Sequence, residues 1–218
     1  MYCRHDLVWL SAEGWHAAAV RARPSELDAI ELWQREDWPA IVRRNDAGAE
    51  ADTISLGIAL PPDPADGSKR RIALRAHRSH VARQAPPLPL AQAIASAPHA
   101  WRTGLAELDA GESGHKLRTY GSLALQAITA HRYLTDRSDI DLLFRPASIG
   151  QLGAGIELLS SHAMHLPLDG EVVFPHGDAV AWKEWRAAAG RGVRVLVKSI
   201  DAVRLADPAS LLATLEAA

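Results

Sequence analysis

Ser138-Asp139-Ile140-Asp141-Leu142-Leu143-Phe144 is a run in which acidic and apolar side chains alternate before apolar ones take over. Alternation with a period of two marks a β-strand, so Asp139, Asp141 and Leu143 point one way and Ile140, Leu142 and Phe144 the other. Two carboxylates on one side of an apolar strand repel each other and resist burial unless a cation pairs them. Magnesium suits that task, being a hard cation that takes carboxylate and phosphate oxygens together. Two such ions about 3.5–4 Å apart can activate an attacking hydroxyl and stabilise a leaving pyrophosphate. An isolated Asp-x-Asp is more often an edge strand with its acids in solvent, so the neighbouring sequence decides.

Upstream, Tyr120-Gly121-Ser122 ends a short strand, Lys116–Tyr120, and opens a helix running to about Thr129. Glycine permits close backbone approach, and a helix N-terminus offers N–H groups to an anion. Downstream, a helix over Ser148–Ser161 leads to Leu168-Asp169-Gly170-Glu171-Val172-Val173-Phe174, with a strand expected over Glu171–Phe174. Asp169 and Glu171 again share a face, and either suits a third carboxylate; the alternative for each is a turn residue entering a strand. A helix over Ala179–Ala189 and a β-branched strand, Val193–Val197, follow. Asp207-Pro208 then opens a last helix, with Asp as cap and Pro in the first position. Trp182 and Trp185, three apart on one helix, point to a shared buried face, with stacking on an adenine as the alternative. Strands alternating with helices make this half α/β or α+β.

Pro86-Pro87-Leu88-Pro89 marks the boundary between domains expected over residues 1–85 and 86–218. Helices over Leu90–Ala97 and His99–Asp109 and a break at Gly111, Ser113 and Gly114 lead into the second. The first domain is expected to be a smaller α+β unit. Its helix runs from Glu26 to about Glu36 with Ser25 as cap, and strands begin at Pro39. Thr53–Leu60 and Arg70–Ala76 form a hairpin around Pro61-Pro62-Asp63-Pro64 and Gly67. Trp9 and Trp38 are expected to close its core.

The charge balance, 24 basic against 26 acidic residues and −2 overall, argues against a general nucleic-acid binder, which normally carries a basic excess. Cys3 is the only cysteine, which excludes an intrachain disulfide and a cysteine-based zinc site. The ten histidines include His77 with His80 and His162 with His165, but neither pair has a carboxylate partner at ligand spacing. No secretory leader and no apolar run near the ~20 residues needed to cross a bilayer are visible, so a cytoplasmic protein without membrane contact is expected.

Gly-Ser followed by a same-face aspartate pair on the next strand resembles the nucleotidyltransferase superfamily of the DNA polymerase β type. The resemblance implies a mixed sheet flanked by helices in the C-terminal domain, Gly121 and Ser122 at the triphosphate, and Asp139 and Asp141 at metal. The interval between Ser122 and Asp139 is long for that superfamily. It is normal for one family, which the chain resembles over nearly its whole length: the phosphoribosyl-dephospho-CoA transferases (holo-acyl-carrier-protein synthases) of malonate decarboxylase. The matching stretches include Arg4-His5-Asp6-Leu7-Val8-Trp9-Leu10, Asp37-Trp38-Pro39-Ala40-Ile41-Val42-Arg43-Arg44 and Gly57-Ile58-Ala59-Leu60-Pro61-Pro62. Lys69-Arg70-Arg71-Ile72-Ala73-Leu74-Arg75, Tyr120-Gly121-Ser122-Leu123-Ala124, the strand at Asp139, Asp169-Gly170-Glu171 and Val180-Ala181-Trp182-Lys183-Glu184 complete them.

The resemblance implies transfer from 2′-(5″-triphosphoribosyl)-3′-dephospho-CoA to a serine of the apo acyl carrier subunit of malonate decarboxylase, with release of pyrophosphate. It makes Asp139 and Asp141 the catalytic aspartates. Magnesium is the expected cofactor, on Asp139, Asp141 and one of Asp169 and Glu171. Serine is a weak nucleophile until its proton is taken, a task for Asp141 or the third acid. The donor's phosphates call for cations drawn from Arg43, Arg44, Arg75, Lys183 and Lys198, with Lys198 and Arg75 preferred. Lys69-Arg70-Arg71 is either a rim for an acidic carrier protein or a solvated loop end. Two other readings are AMP transfer to a different acceptor, which incorporation from ATP would reveal, and a catalytically inactive nucleotide-binding module, which would release no pyrophosphate from any donor with magnesium.

Overall fold

The computed structural model describes residues 2–111 and 116–216, and its chain divides into two compact units, Met1–Pro87 and Leu88–Ala218. Ser113 and Gly114 lie outside the described residues. Among the described residues no helix is long and apolar enough to cross a membrane. Both units are mixed α and β, each built on one sheet.

The N-terminal unit holds β1 (Leu7–Leu10), α1 (Ala12–Arg21), α2 (Leu27–Arg35), β2 (Ala40–Val42), β3 (Thr53–Ala59), β4 (Arg71–His77) and β5 (Val81–Ala85). The strands pair antiparallel in the order β4-β3-β2-β1-β5. The expected hairpin is present, with Leu56 opposite Leu74 and Ile58 opposite Ile72. Strict alternation in β4 buries Ile72, Leu74 and Ala76 and exposes the residues between them. Helix α1 was not expected from the sequence; Ser11 starts it, its hydroxyl accepting from the Gly14 N–H at 3.2 Å. Helix α2 starts later than expected, after a 3-10 turn over Pro24–Glu26. Glu26, not Ser25, closes that turn, accepting the Arg23 N–H at 3.0 Å. The tryptophans buried deepest are Trp15 and Trp33; Trp38 meets Trp33 edge to face, and Trp9 lies half-buried under Arg83.

The C-terminal unit runs β6 (Leu88–Pro89), α3 (Leu90–Ala93), α4 (His99–Ala110), β7 (Arg118–Thr119), α5 (Gly121–Thr129), β8 (Ile140–Phe144), α6 (Ile149–His162), β9 (Leu168–Val173), β10 (Ala179–Ala181), α7 (Trp182–Ala188), β11 (Val195–Lys198), β12 (Val203–Ala206) and α8 (Pro208–Glu216). Its sheet has the order β12-β11-β10-β9-β8-β7-β6. Among the described residues only β8 and β9 pair parallel, and α6 makes the crossover between them. Ser148 caps α6 through a bond from the Gln151 N–H, and Asp207 accepts from the Ala209 N–H ahead of α8.

One apolar core binds the helices to a single face of this sheet. Ile140, Leu142 and Phe144 from β8, Val172 from β9 and Val195 and Val197 from β11 join Leu105, Leu123, Leu152, Leu159, Trp182 and Leu211 from the helices. The opposite face carries a small cluster of Leu143, Val173 and Ala179, with Tyr120 against it. Strand alternation on β8 therefore divides as expected. The expected helix over Ala179–Ala189 is corrected: residues 179–181 are a strand and the helix begins at Trp182. Val180 pairs with Val172, a contact between strands that local helical spacing does not reveal. Trp182 and Trp185 are both buried, the latter against Phe174 at 4.9 Å.

Candidate active site

The acids singled out on β8 and β9 stand side by side on the sheet face that the helices of the unit leave alone. Strand β9 begins at Leu168, three residues earlier than expected, so Asp169 and Glu171 both lie within it. The register sets Asp141 beside Asp169 and Leu143 beside Glu171. Parallel partners in register share a face, so Asp141, Asp169 and Glu171 form one acidic group two strands wide. Asp139 precedes β8 by one residue and is exposed, whereas Asp141 is half-buried.

Gly121 closes the group from the β7 side. It begins α5 with φ +65°, in the left-handed region, and a Cβ placed there would lie 2.1 Å from Asp141 Oδ2. Only a residue without a side chain lets the start of that helix sit against this carboxylate. The Tyr120 N–H donates to the Asp141 carbonyl at 3.1 Å, which locks the strand-to-helix turn to β8. No side chain of Tyr120 caps α5, and Ser122 is the second residue of the helix. The Gly-Ser turn and the aspartate strand therefore meet, as the sequence motif required.

Cations reach the group from the other side. Lys198, at the end of β11, donates from Nζ to Glu171 Oε1 at 3.0 Å. It spans β10, whose Ala181 stands opposite Glu171 and whose Ala179 stands opposite Lys198. Alanines on the intervening strand leave room for the lysine to cross. Lys183, in the first turn of α7, lies 3.6 Å from Asp169 Oδ1. Glu171 is only 4% exposed at its side chain and Lys198 36%. Removing one member of a buried pair leaves the other charge poorly solvated. Lys198→Met is expected to lower stability by about 2 kcal/mol, and adding Glu171→Gln to it should restore most of the loss. A chemical-denaturation midpoint for the single variant equal to that of the parent would show that the pair contributes nothing.

Arg118 was missed by sequence reasoning. It pairs with Leu143 across β7 and β8 and so belongs to the same face as Asp141 and Glu171. Counting back by two from Tyr120 along the strand was the available signal. Arg75, Arg43 and Arg44 belong to the N-terminal unit, where Arg43 and Arg75 both bind Asp46. Arg70 of the Lys69-Arg70-Arg71 run donates to the Ser25 carbonyl. The histidine pairs make local contacts: His77 with Ser79 Oγ, and His162 with the Leu158 carbonyl.

Among the described residues no three histidine, cysteine or acidic side chains are arranged as a ready-made metal cage. A magnesium site does not require one, since that ion keeps waters and takes one or two carboxylates together with substrate phosphates. Oxygen-only donors at Asp141 and Asp169, next to a helix start that favours anions, fit that chemistry.

Comparison with known proteins places the chain in a family. The family described as the phosphoribosyl-dephospho-CoA transferase MdcG N-terminal domain matches residues 3–87, and its C-terminal domain counterpart matches residues 89–209. A phosphoribosyl-dephospho-CoA transferase of Xanthomonas campestris pv. campestris is 38% identical over 206 residues, 93% of this chain and 92% of its own. One from Bradyrhizobium diazoefficiens is 39% identical over 210 residues, covering 94% and 89%, and one from Xanthomonas euvesicatoria pv. vesicatoria is 36% identical over 220 residues, covering 99% of each chain. No solved structure matches the chain. The resemblance seen in the sequence thus extends through both units, and the chain belongs to the phosphoribosyl-dephospho-CoA transferase family.

Proposed function

We propose that this protein transfers the phosphoribosyl-dephospho-CoA group from 2′-(5″-triphosphoribosyl)-3′-dephospho-CoA to a serine hydroxyl on the apo acyl carrier subunit of malonate decarboxylase. The serine oxygen attacks the α-phosphorus of the triphosphate, a new P–O bond forms, and the bond to the β-phosphate breaks. Pyrophosphate leaves, and the serine proton passes to a base. The observation that carries this reading is the contact of Gly121 with Asp141, on the strand whose neighbour presents Asp169 beside it. A phosphate-approaching helix start and a pair of acids are the two parts that a phosphoryl transfer needs in one place.

Asp141 and Asp169 are the residues that would hold magnesium, with Asp139 at the exposed end of the same row. Bound there, the ion would supply neutralisation of phosphoryl charge and a lower pKa for the attacking hydroxyl. The start of α5 at Gly121 and Ser122 receives the triphosphate through backbone N–H groups. Lys183, Lys198 and Arg118 border the acids and balance the charge of the departing pyrophosphate. Asp169, level with Asp141, is the better third carboxylate, because Glu171 is already committed to Lys198. Glu171 keeps Lys198 extended across β10, towards the acids.

Mass spectrometry of the apo carrier subunit incubated with the donor, magnesium and the protein tests the proposal. The carrier should gain the mass of one phosphoribosyl-dephospho-CoA group on a single serine, with one pyrophosphate released per carrier. Label arriving from ATP and not from the triphosphoribosyl donor would replace this reading with AMP transfer.

A further inference from the structure

The N-terminal unit contains a cavity of about 300 Å³ whose lining includes Arg21, Glu26, Arg43, Asp46 and Arg75. Three guanidinium groups border it. Their counter-charges are largely spent among themselves. Asp46 accepts from Arg43 Nη1 and Nη2 at 2.5 and 2.7 Å and from Arg75 Nε at 2.8 Å. That bidentate clamp, with Arg43 contributing most and Arg75 next, holds the Asp46 carboxyl far below its ordinary range, so it remains ionised at any working pH. The Glu26 carboxylate is taken up by Arg23, through its side chain and its backbone N–H.

What remains is uncommitted positive charge. Among the described residues, the Arg75 Nη groups have no partner once Nε has bonded Asp46, and the Arg21 guanidinium has none. Asp46 thus orients Arg75 while leaving its outer donors available. Arg43 is pinned from behind as well, since its Nε donates to the Leu56 carbonyl at 2.9 Å. Small residues leave room around these groups: Ala18 on α1, Ala22 immediately after it, and Ala73 on β4. Arg75, oriented by Asp46, and the exposed Arg21 present guanidinium donors beside a cavity at the lower end of small-molecule size, and such planar donors match phosphate oxygens in geometry and charge.

We propose that this arginine cavity is a second anion site, which binds a diphosphate group through Arg21 and Arg75 with Arg43 and Asp46 as its rigid support. The site goes beyond the transfer reaction proposed above and stands without it. Two sources supply the same chemistry: free pyrophosphate, or the diphosphate that joins the two halves of dephospho-CoA.

Isothermal titration of the full-length protein in EDTA, with sodium pyrophosphate, dephospho-CoA and adenosine as separate ligands, tests the site. Binding of pyrophosphate should weaken at least about tenfold in Arg21→Gln/Arg75→Gln and by a smaller factor in Arg21→Gln alone, while Lys183→Gln/Lys198→Gln leaves that binding component in place. Among the described residues Arg21 has no structural partner to lose, so its single variant separates binding from folding. Arginine-dependent binding of dephospho-CoA but not adenosine would identify the donor's own diphosphate as the ligand. Arginine-dependent binding of pyrophosphate alone would identify the free anion. Absence of pyrophosphate and dephospho-CoA binding to the wild type, or equal affinity in the arginine variants, overturns the proposal.

Discussion

Gly170→Ala is expected to destabilise the C-terminal unit by about 4 kcal/mol, more than most single substitutions. Gly170 sits in β9 at φ +129°, a backbone conformation that side-chain-bearing residues rarely adopt. A Cβ there would lie 1.9 Å from the Leu142 carbonyl oxygen and 2.6 Å from its nitrogen. Those atoms are the backbone of the neighbouring strand, which cannot swing aside as a flexible side chain can. Backbone strain of about 1–3 kcal/mol and overpacking of about 1–3 kcal/mol therefore act together. Relief requires β9 to move off β8, and that motion separates Asp141 from Asp169 and Leu143 from Glu171. In urea, followed by far-ultraviolet circular dichroism, the midpoint of the C-terminal transition should fall by about 2 M. A soluble variant whose midpoint matches that of the wild type would mean that the β8–β9 pairing is looser than its register implies.

The same pair of strands shows what the sequence could reveal and what it could not. Alternation in Ile140–Phe144 identified the face of Asp141, because a period of two is a local property of the chain. The hairpin of β3 and β4 was legible for the same reason, with a proline-rich loop between two apolar-alternating runs. Partners across strands were less accessible. That Asp169 falls level with Asp141, and Glu171 with Leu143, depends on the register of a parallel crossover through α6. The sequence placed both acids on one face but gave no ground for choosing between them. Lys198 was selected for lying just after a strand; its reach to Glu171 depends on the alanines of β10, a strand mistaken for the start of a helix.

Arg75 shows a different limit. Its position on β4 follows from alternation, and its charge suggested a phosphate. Its ion pair is with Asp46, in a loop that carries no periodic signal, and the cavity beside it also draws on α1, a helix with few large apolar residues to announce it. Contacts between distant parts of the chain, and not local propensity, create that site.

Asp141→Asn should reduce transfer to the carrier by about 10³-fold in kcat/KM while leaving the urea midpoint within error of wild type. Asparagine has nearly the same shape, so it can occupy the space against Gly121, and the bond from the Tyr120 N–H is to the backbone carbonyl and survives. The negative charge is lost, and one acceptor oxygen becomes an amide donor. If the acids gather a cation and phosphate oxygens, that charge acts in the transition state more than in binding, and kcat should bear most of the effect. Asp139→Asn and Asp169→Asn are expected to fall in the same direction. Glu171→Gln should differ in kind, because its first consequence is a lysine released from its partner at β11. A KM rise for the donor without a kcat change would fit that role in orienting a cation. An Asp141→Asn protein that modifies the carrier within about tenfold of the wild-type rate would leave the acidic row without a catalytic part. The contact between Gly121 and β8 would then be a packing solution alone, and the transferring groups would have to lie elsewhere in the chain.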